Sequence, residues 1–446
     1  MTRRQGCALL SATTAVIAAI CAAVYVGTAS GDSSGGDRNP FVVGTPSPRH
    51  SAAPASAGTW VGAWSASPSG AEPGTEGQAM AGRSVRNVVH AGVSGTSARI
   101  TLSNLYGNRP LTLTHASIAL SATSQDATAA PGTMRRLSFD GALTVVIPPG
   151  EQVVSDTVRI ALPQDSDVLV TTYAPTASGP VTYHRHARQI SYLAQGDRTE
   201  DTSNAAYTEQ TRSWHYLTAL DVLSDEAIGT AVVLGDSITD GITSTAGADH
   251  RWTDILSDRL RTAAGTPGVP RYSVANQGIS GNRVLAGGTT GRPADNPSAL
   301  SRFDRDVLGR TNIKALVIDL GINDILRAPG RPDPDRITAG LRTLVSEAHA
   351  HGLKVVGATL MPFKDHRGYS TDREQARQAV NAQIRAGTVY DDVVDFDQAL
   401  RDPYDPSRLR PAYDSGDHLH PGDRGFQRMA EVFDLGSLNG AAPARL

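Results

Sequence analysis

The chain has 446 residues, of which 39% are hydrophobic and 19% are charged, so it can bury a large core and form more than one folded unit. Its formal net charge of -3 gives no general attraction to nucleic acid or to an anionic membrane surface, and we predict no nucleic-acid partner. Both cysteines, Cys7 and Cys21, lie in the first apolar stretch, which excludes a disulfide framework, a cysteine-based metal site and a catalytic cysteine from the rest of the chain.

The N-terminus has the pattern of an export signal. Arg3 and Arg4 precede an apolar run over residues 6–26, and small residues follow it. This is typical of a signal peptide within residues 1–30, although such a run is also long enough for an uncleaved membrane anchor. We therefore predict that the folded part is secreted, or held at the outer face of the plasma membrane. Residues 31–58 are rich in Ser, Gly, Pro and Ala, which predicts a disordered linker.

Residues 59–225 have the periodicity of short strands. Residues 99–103 and 111–114 alternate polar and apolar side chains around turn residues 104–108, which predicts a β-hairpin. Many short strands at this spacing favour an antiparallel, jelly-roll-like β-sandwich that serves as an accessory domain. Further strands are predicted over residues 84–90, 117–120, 143–147, 153–160, 168–174 and 181–184.

The polar and aromatic residues of this part do not indicate a reaction. Its histidines have no carboxylate or cysteine at a metal-ligand spacing, so we interpret them as structural or surface residues. They are His90, His115, His184, His186 and His215. Trp60, Trp64 and Trp214 could offer a platform for a sugar ring, but we interpret them as residues of the core or of a seam between domains.

From residue 226 the pattern changes to strands that alternate with helices, which predicts a doubly wound parallel sheet within residues 226–440. The first strand, residues 231–234, is apolar without alternation and leads into Gly235-Asp236-Ser237, so Ser237 is expected at the carboxyl end of a strand covered on both faces. Taken alone, Ser237 could equally be a helix N-cap. Further strands are predicted over residues 272–276, 315–320, 355–360 and 393–396, and helices over residues 251–260, 335–350 and 371–386, the last opening with a capping box at Thr371 and Glu374.

Polar residues follow the predicted strands where each one ends. Residues 276–282 follow the second strand, Gly321-Ile322-Asn323-Asp324 follows the third, and Asp417-His418-Leu419-His420 follows the last. Ligands of open α/β sheets bind beyond the carboxyl ends of the strands. We therefore expect these segments to converge on one rim together with Ser237.

In this order the four segments resemble those of the SGNH hydrolases, also called GDSL-type esterases and lipases. The resemblance implies a flavodoxin-like catalytic domain over residues 226–440 and a serine hydrolase that needs no cofactor. It implies that Ser237 attacks an ester carbonyl, that His420 takes and returns the proton, and that Asp417 orients the imidazole. The backbone amides of Ser237 and Gly281 and the side-chain amide of Asn323 would form the oxyanion hole.

Elementary chemistry agrees with these roles. A serine hydroxyl needs an adjacent base, and the spacing of Asp417 and His420 lets a turn bring the carboxylate to the far ring nitrogen. We interpret His418, the competing base, as a bystander. Asp236, Asp240 and Asp324 are interpreted as side chains that fix loops by bonding nearby backbone groups.

A metal site is the other chemistry that these segments could suggest. Carboxylates and imidazoles cluster at Asp414, Asp417, His418, His420 and Asp423, and such groups bind zinc or calcium. The triad already uses two of them and serine chemistry requires no metal, so we predict none. The glycine-rich run at residues 287–291 lacks the lysine of a phosphate-binding loop and is interpreted as a flexible loop.

The strand-rich part ahead of the hydrolase layer is also similar to that of secreted bacterial SGNH enzymes. The similarity lies in residues 60–64 and 102–107, and it implies hydrolysis of acyl or acetyl esters, including acetyl groups on polysaccharides. We therefore expect an extracellular serine esterase whose substrate is a small-molecule or polysaccharide-linked short-chain ester. Two alternatives stay open: a lipase or phospholipase for longer acyl chains, and a cell-surface glycan-binding protein with a vestigial hydrolase layer.

Overall fold

The computed structural model describes residues 58–78, 80–124, 126–288 and 295–442, which belong to one compact unit. The predicted export signal and the linker up to residue 57 lie outside this range, and the glycine-rich run at residues 287–291 lies partly outside it. Among the helices within this range, none combines the length and the apolar character needed to cross a bilayer.

Within the described residues, the part before residue 225 contains sixteen strands, all paired antiparallel. They are β1 (Thr59–Ser65), β2 (Gly70–Ala71), β3 (Arg83–Ala91), β4 (Gly95–Ser103), β5 (Leu111–Leu113), β6 (His115–Leu120), β7 (Arg135–Arg136), β8 (Val145–Ile147), β9 (Gln152–Val154), β10 (Val158–Leu162), β11 (Ser166–Ala174), β12 (Thr182–His184), β13 (Ser191–Gln195), β14 (Glu209–Thr211), β15 (Trp214–His215) and β16 (Leu217–Ser224). We call residues 59–224 the strand-rich part.

Two large sheets of the strand-rich part share one core. The five-stranded sheet has the order β1-β16-β4-β10, with β9 also on β4, and the six-stranded sheet has the order β14-β13-β3-β11-β6-β7. Ile100 of β4 and Val85 and Val89 of β3 belong to the same buried cluster. Val88 lies in a second cluster with Tyr207, because successive side chains of a strand point to opposite faces. The jelly-roll connectivity of these sheets stays a prediction.

The predicted hairpin between residues 99–103 and 111–114 is wrong. β4 pairs with β16, β10 and β9, whereas β5 pairs with β8. The side-chain amide nitrogen of Asn104 donates to the carbonyls of Arg109 and Ile147, both at 2.9 Å, and this holds the turn beside β8. Alternation therefore locates a strand without giving its partner. The predicted strand over residues 153–160 is likewise two strands, β9 and β10.

Two of the three tryptophans of the strand-rich part are core residues, as we interpreted them. The rings of Trp64 and Trp214 meet edge to face, with 4.8 Å between their centroids. The exposed fraction is 8% for Trp64 and 4% for Trp214. The indole N–H of Trp214 donates to the Val88 carbonyl at 2.7 Å. Both rings are therefore packed largely inside the structure.

The rest of the described chain is built on a parallel sheet. Its strands are β17 (Gly229–Gly235), β18 (Tyr272–Gly278), β19 (Ile313–Asp319), β20 (Lys354–Ala358) and β21 (Asp392–Val394), in the order β18-β17-β19-β20-β21. All four pairings are parallel. This is the predicted flavodoxin-like order, in which the chain changes direction across the sheet between β17 and β19.

Helices cover both faces of this sheet. They are α1 (Ser237–Asp240), α2 (Trp252–Thr262), α3 (Ala299–Phe303), α4 (Ile322–Leu326), α5 (Pro334–Ala350), α6 (Thr371–Arg385), α7 (Phe396–Leu400) and α8 (Asp423–Val432), with a π-helical turn at Asp304–Leu308 and a 3₁₀ turn at Leu435–Leu438. Val232 packs in the cluster of α5 and α6, and Val233 packs in the cluster of α2 and α8. The sheet is thus buried on both faces, as the unbroken apolar run predicts.

The predicted capping box of α6 is wrong by one residue. The N-cap is Ser370, whose hydroxyl oxygen accepts from Arg373 N at 3.3 Å. Glu374 bonds the Arg377 guanidinium at 2.7 Å instead. The Glu374 carboxylate is thus used in an ion pair with Arg377, three residues further along the helix, and not in a cap.

The strand-rich part packs directly against the parallel sheet. Gly62 N in β1 donates to Thr230 Oγ1 in β17 at 3.0 Å, and Gln277 Nε2 in β18 donates to Ser65 Oγ at 2.6 Å. The segment that follows β1 therefore lies beside the carboxyl end of β18. The predicted division at residues 225/226 falls in the link between β16 and β17.

Candidate active site

Ser237 is the first residue of the helix that follows β17. The preceding residue, Asp236, is the N-cap, and its Oδ1 accepts from Ile238 N at 3.0 Å. The capping role therefore belongs to Asp236, and the Ser237 hydroxyl is not needed for it. Ser237 is 8% exposed and lies at the carboxyl end of a central strand.

His420 connects Ser237 to Asp417. Its Nε2 is 2.8 Å from Ser237 Oγ, and its Nδ1 is 2.6 Å from Asp417 Oδ2. With Nδ1 carrying a hydrogen toward the carboxylate, Nε2 is left as an acceptor for the serine proton. The three residues proposed from the sequence as a triad are thus in hydrogen-bond contact in the required order.

A tight turn brings the Asp417 carboxylate back to His420. Asp417 Oδ1 accepts from Leu419 N at 3.0 Å and from His420 N at 2.8 Å, and His418 within the turn has a φ of +64°. Burial alone would raise the pKa of Asp417, but the His420 ring and these backbone amides outweigh it and hold that pKa below its usual range. The carboxylate therefore stays ionised beside the imidazole.

His418 has a different partner, as expected of a bystander. Its Nδ1 is 2.6 Å from Asp414 Oδ2, and 43% of its side chain is exposed. Asp423, the last member of the cluster considered as a metal site, accepts from Thr245 N at 2.8 Å and lies 3.0 Å from His250 Nδ1. The clustered carboxylates are therefore engaged in separate local pairs.

Asn323 is held beside the nucleophile by Asp236. Its side-chain nitrogen donates to Asp236 Oδ2 at 3.1 Å, and a carboxamide nitrogen carries two hydrogens. One hydrogen is used by Asp236 and the other is available for a substrate oxygen. The two residues follow β17 and β19, the strands that flank the point where the strand order reverses.

Gly281 lies in the loop that follows β18, the strand next to β17. It has a φ of +76°, a left-handed conformation that glycine adopts without steric cost. Gly278, at the end of β18, lies directly under α1, since a Cβ there would be 2.4 Å from Asp240 N. This close contact brings the loop of Gly281 to the helix that begins with Ser237.

The three aspartates interpreted as loop-fixing residues all accept hydrogen bonds from backbone amides, which confirms that interpretation. Besides Asp236, Asp240 Oδ2 accepts from Ser280 N at 2.9 Å, and Asp324 accepts from Val284 N and Leu285 N at 2.8 and 3.0 Å. Burial, reinforced by the nearby Asp319 carboxyl, raises the pKa of Asp236. These carboxyls join the segments after β17, β18 and β19 to one another.

Arg302 was missed by the sequence analysis. It is 1% exposed and donates to the carbonyls of Gly235 at 2.9 Å and Gln277 at 2.7 Å and to Asn282 Oδ1 at 3.1 Å. Its charge is balanced by Asp306, one helical turn away at 3.0 Å. Ser298, which caps α3, is the residue from which that helix could have been predicted. The burial of Arg302 could not be predicted, because an arginine is ordinarily expected at the surface.

His90 lies in a second carboxylate cluster, beside a cavity of about 450 Å³ between the strand-rich part and α2. Its Nδ1 is 3.1 Å from Asp167 and 3.3 Å from Asp249, and its Nε2 is 3.0 Å from Asp165. Burial alone would lower the pKa of His90, but the hydrogen bond of Asp167 and the charges of Asp249 and Asp254 raise it to about 9. A ring that donates from both nitrogens satisfies the surrounding carboxylates.

Residues 233–428 match the model of the GDSL-like lipase/acylhydrolase family. A search of curated proteins gave no match. Similar solved structures include an acetylxylan esterase from Geobacillus stearothermophilus, which is 23% identical, with 46% of this chain and 92% of that chain covered and a TM-score of 0.33.

Two further solved structures are similar to the same share of the chain. The aryl esterase of M. smegmatis is 19% identical over 46% of this chain and 95% of its own, with a TM-score of 0.35. A GDSL-like lipase from Bacteroides thetaiotaomicron VPI-5482 is 20% identical over 46% of this chain and 84% of its own, with a TM-score of 0.32.

The family match begins within β17 and includes Ser237, Asn323, Asp417 and His420. The matched region therefore contains the triad and Asn323, together with the parallel sheet from which they extend. Residues 233–428 therefore form a domain of the GDSL-like lipase/acylhydrolase family, which is a family of hydrolases.

Proposed function

We propose that the protein is an extracellular serine esterase that hydrolyses short-chain acyl esters, acetyl esters among them, through an acyl-enzyme. The observation that carries the proposal is the Ser237-His420-Asp417 chain, with 2.8 Å between Ser237 Oγ and His420 Nε2 and 2.6 Å between His420 Nδ1 and Asp417 Oδ2.

The reaction begins with attack of Ser237 Oγ on the ester carbonyl carbon, while His420 Nε2 takes the hydroxyl proton. The carbonyl oxygen becomes an oxyanion, which the backbone amides of Ser237 and Gly281 and the free hydrogen of the Asn323 side chain stabilise. His420 then gives its proton to the departing alcohol. A water molecule, activated by His420, releases the acid and restores Ser237.

The ionised Asp417 supports each of these proton transfers. When His420 takes the serine proton, the ring becomes positively charged, and the carboxylate on Nδ1 stabilises that charge. The low pKa of Asp417 means that the carboxylate does not take the ring proton for itself. Asp417 thus holds the tautomer in which Nε2 is free before each turnover.

The proposal of a short acyl chain is supported by the residues around the nucleophile. Residues 242–249, which follow α1, are small or polar apart from Ile242, and a long acyl chain would need an apolar groove there. A lipase or phospholipase would cleave long-chain esters faster than acetyl esters. A panel that compares acetyl, butyryl and long-chain nitrophenyl esters with acetylated oligosaccharides separates these possibilities and tests the polysaccharide substrate.

Replacement of the nucleophile tests the proposed reaction. Ser237→Ala is expected to lower kcat for nitrophenyl acetate by about four orders of magnitude or more, because the attacking oxygen is lost. His418→Ala, in the same loop as His420 but paired with Asp414, is the matched control and should keep most of the activity. Unchanged turnover in the Ser237 variant would show that the ester is cleaved elsewhere. Absence of esterase activity in the original chain, together with polysaccharide binding, would instead favour a glycan-binding protein with a vestigial hydrolase layer.

The extracellular location is part of the proposal. It is supported by Arg3, Arg4 and the apolar run over residues 6–26. Expression of the full chain in a bacterial host, followed by fractionation and N-terminal sequencing, tests it. A shortened soluble product outside the cytoplasm indicates cleavage, a full-length membrane-bound product indicates the anchor, and a full-length cytoplasmic product would contradict both.

A further inference from the structure

Asp240 joins the strand-rich part to the loop that carries Gly281. It is the last residue of α1 and is 3% exposed. Its Oδ2 accepts from Ser280 N at 2.9 Å and from Ser280 Oγ at 2.5 Å. Its Oδ1 lies 2.9 Å from Nε2 of His184, a residue of β12 in the strand-rich part. One carboxylate therefore contacts both the residue before Gly281 and a histidine from another sheet.

His184 must donate from both of its ring nitrogens. Its Nδ1 is 2.8 Å from the carbonyl oxygen of Ser67, which can only accept, and its Nε2 faces the Asp240 carboxylate, which also accepts. Burial alone would lower the pKa of His184, but the charge and hydrogen bond of Asp240 raise it. His184 and Asp240 are thus a buried imidazolium-carboxylate pair, with exposures of 4% and 3%.

A second connection holds the other side of Ser280, at the peptide group that it shares with Gly281. The Ser280 carbonyl accepts from Asn296 Nδ2 at 2.9 Å, and Asn296 N donates to the Ser69 carbonyl at 2.8 Å. Since a peptide group is planar and trans, its N–H points away from its C=O. With Ser280 held at its amide, hydroxyl and carbonyl, the direction of the Gly281 N–H is fixed from the strand-rich part.

We propose that His184 is a positioning residue for the oxyanion hole, and that the strand-rich part is thereby a working component of the catalytic centre. This inference rests on the proposed function, in which the Gly281 amide stabilises the oxyanion. His184 acts through Asp240 and Ser280 and does not touch the reacting atoms. Displacement of a catalytic group by about 1 Å can cost on the order of a hundredfold in rate.

Two substitutions separate the two hydrogen bonds of His184. The amide nitrogen of glutamine reaches close to the position of Nε2, so His184→Gln can still donate to Asp240. The amide nitrogen of asparagine reaches only to the position of Nδ1, so His184→Asn keeps a donor for Ser67 and leaves Asp240 without one. Both replacements are polar and smaller than or similar to histidine in volume.

His215 provides the control. It is also a buried histidine of the strand-rich part, 1% exposed in its side chain and 3.0 Å from the Glu72 carboxylate, on the strand next to His184. It has no hydrogen bond to Asp240 or to residues 280–281. His215→Asn therefore reproduces the loss of a buried histidine-carboxylate pair without touching the proposed connection.

The measurements are kcat and KM for nitrophenyl acetate, the inhibition constant of a short trifluoromethyl ketone, and the melting temperature of each full-length variant. The ketone forms a tetrahedral adduct whose oxygen occupies the oxyanion hole, so its affinity reports on the hole directly. His184→Asn is expected to lower kcat about tenfold to a hundredfold and to weaken ketone binding in parallel, with KM nearly unchanged. His184→Gln should recover part of both, and folded His215→Asn should match the original chain.

The outcomes are distinct. If His184→Asn is folded and keeps the kcat and ketone affinity of the original chain, or if His215→Asn loses as much as His184→Asn, the positioning role is wrong. If His184→Asn unfolds, His184→Gln tests the proposal instead. A folded Gln variant whose KM rises by the same factor as its kcat falls points to a structural role only. If the original chain itself hydrolyses no ester, the proposed function fails, and this inference fails with it.

Discussion

The side-chain amide of Asn323 donates to Asp236 Oδ2 at 3.1 Å, so the residue before the nucleophile orients the residue proposed to receive the oxyanion. Loss of one oxyanion donor typically costs about a hundredfold to a thousandfold in kcat. Asn323→Ala is expected to show such a loss with little change in KM, measured with nitrophenyl acetate. Asn312→Ala, which removes an amide bonded to the Ile228 carbonyl far from the site, is the control, and an equal loss in both variants would contradict the assignment.

The pH dependence of activity should reflect one proton. Hydrogen bonds hold the pKa of Asp417 below its usual range, so this carboxylate stays ionised throughout the mildly acidic range. Attack by Ser237 requires that His420 Nε2 be free to accept the serine proton. We therefore expect kcat/KM to fall on the acid side of its pH profile with a limiting slope of one in log(kcat/KM), because the ionised Asp417 takes up no second proton there. A flat profile would contradict the role of His420, and a slope of two would show that a second group titrates.

Stability should depend on pH through Asp319. Burial raises the pKa of this carboxyl to about 6, compared with about 3.9 in an unfolded chain. The folded state therefore binds the proton of Asp319 more tightly than the unfolded chain does. The stabilisation that results is complete below about pH 4 and is lost as pH rises through about 6. Asp319→Asn cannot ionise and keeps an acceptor for the Thr239 hydroxyl, which is 2.9 Å away.

Thermal melts from about pH 4 to about pH 8 check the Asp319 prediction. Asp319→Asn should melt close to the original chain at the acid end and a few degrees higher at the alkaline end. A difference in melting temperature that does not change with pH would mean that ionisation of Asp319 has no part in it.

The contact under α1 predicts that Gly278 cannot be replaced. A Cβ at this position would lie 2.4 Å from Asp240 N and 2.8 Å from Asp240 Cα, and backbone atoms cannot move aside as a flexible side chain can. Gly278→Ala should therefore lower both the melting temperature and kcat, because α1 carries Ser237. Gly330→Ala, where a Cβ meets nothing within 4 Å, is the control. A Gly278 variant with unchanged kcat would show that α1 tolerates displacement.

The parallel sheet could be predicted because its residues carry the information locally. The unbroken apolar run before Ser237 indicates a strand buried on both faces, and Ala231 and Val233 do pack on one face while Val232 and Leu234 pack on the other. Each proposed site residue follows a strand of this sheet, so strand order alone brings them to one rim. The contact between Asp417 and His420 follows from a turn within four residues.

The strand-rich part could not be predicted to the same depth because its contacts are distant in sequence. Alternation located β4 and β5 but not their partners, which depend on the turn at Asn104. The pairing of His184 with Asp240 joins residues 56 positions apart, and no local pattern marks it. Arg302 was missed for a similar reason, since a guanidinium is buried only when carbonyls from several segments surround it.

The central claim is that Ser237 is the nucleophile of an esterase, and a fluorophosphonate probe tests it most directly. The full-length protein is incubated with the probe, digested and analysed by mass spectrometry, with hydrolysis of nitrophenyl acetate followed in parallel. We expect a single covalent adduct on Ser237 that forms as activity disappears, and no adduct in Ser237→Ala. An adduct on another residue that abolishes activity, or full activity with Ser237 modified, would contradict the claim.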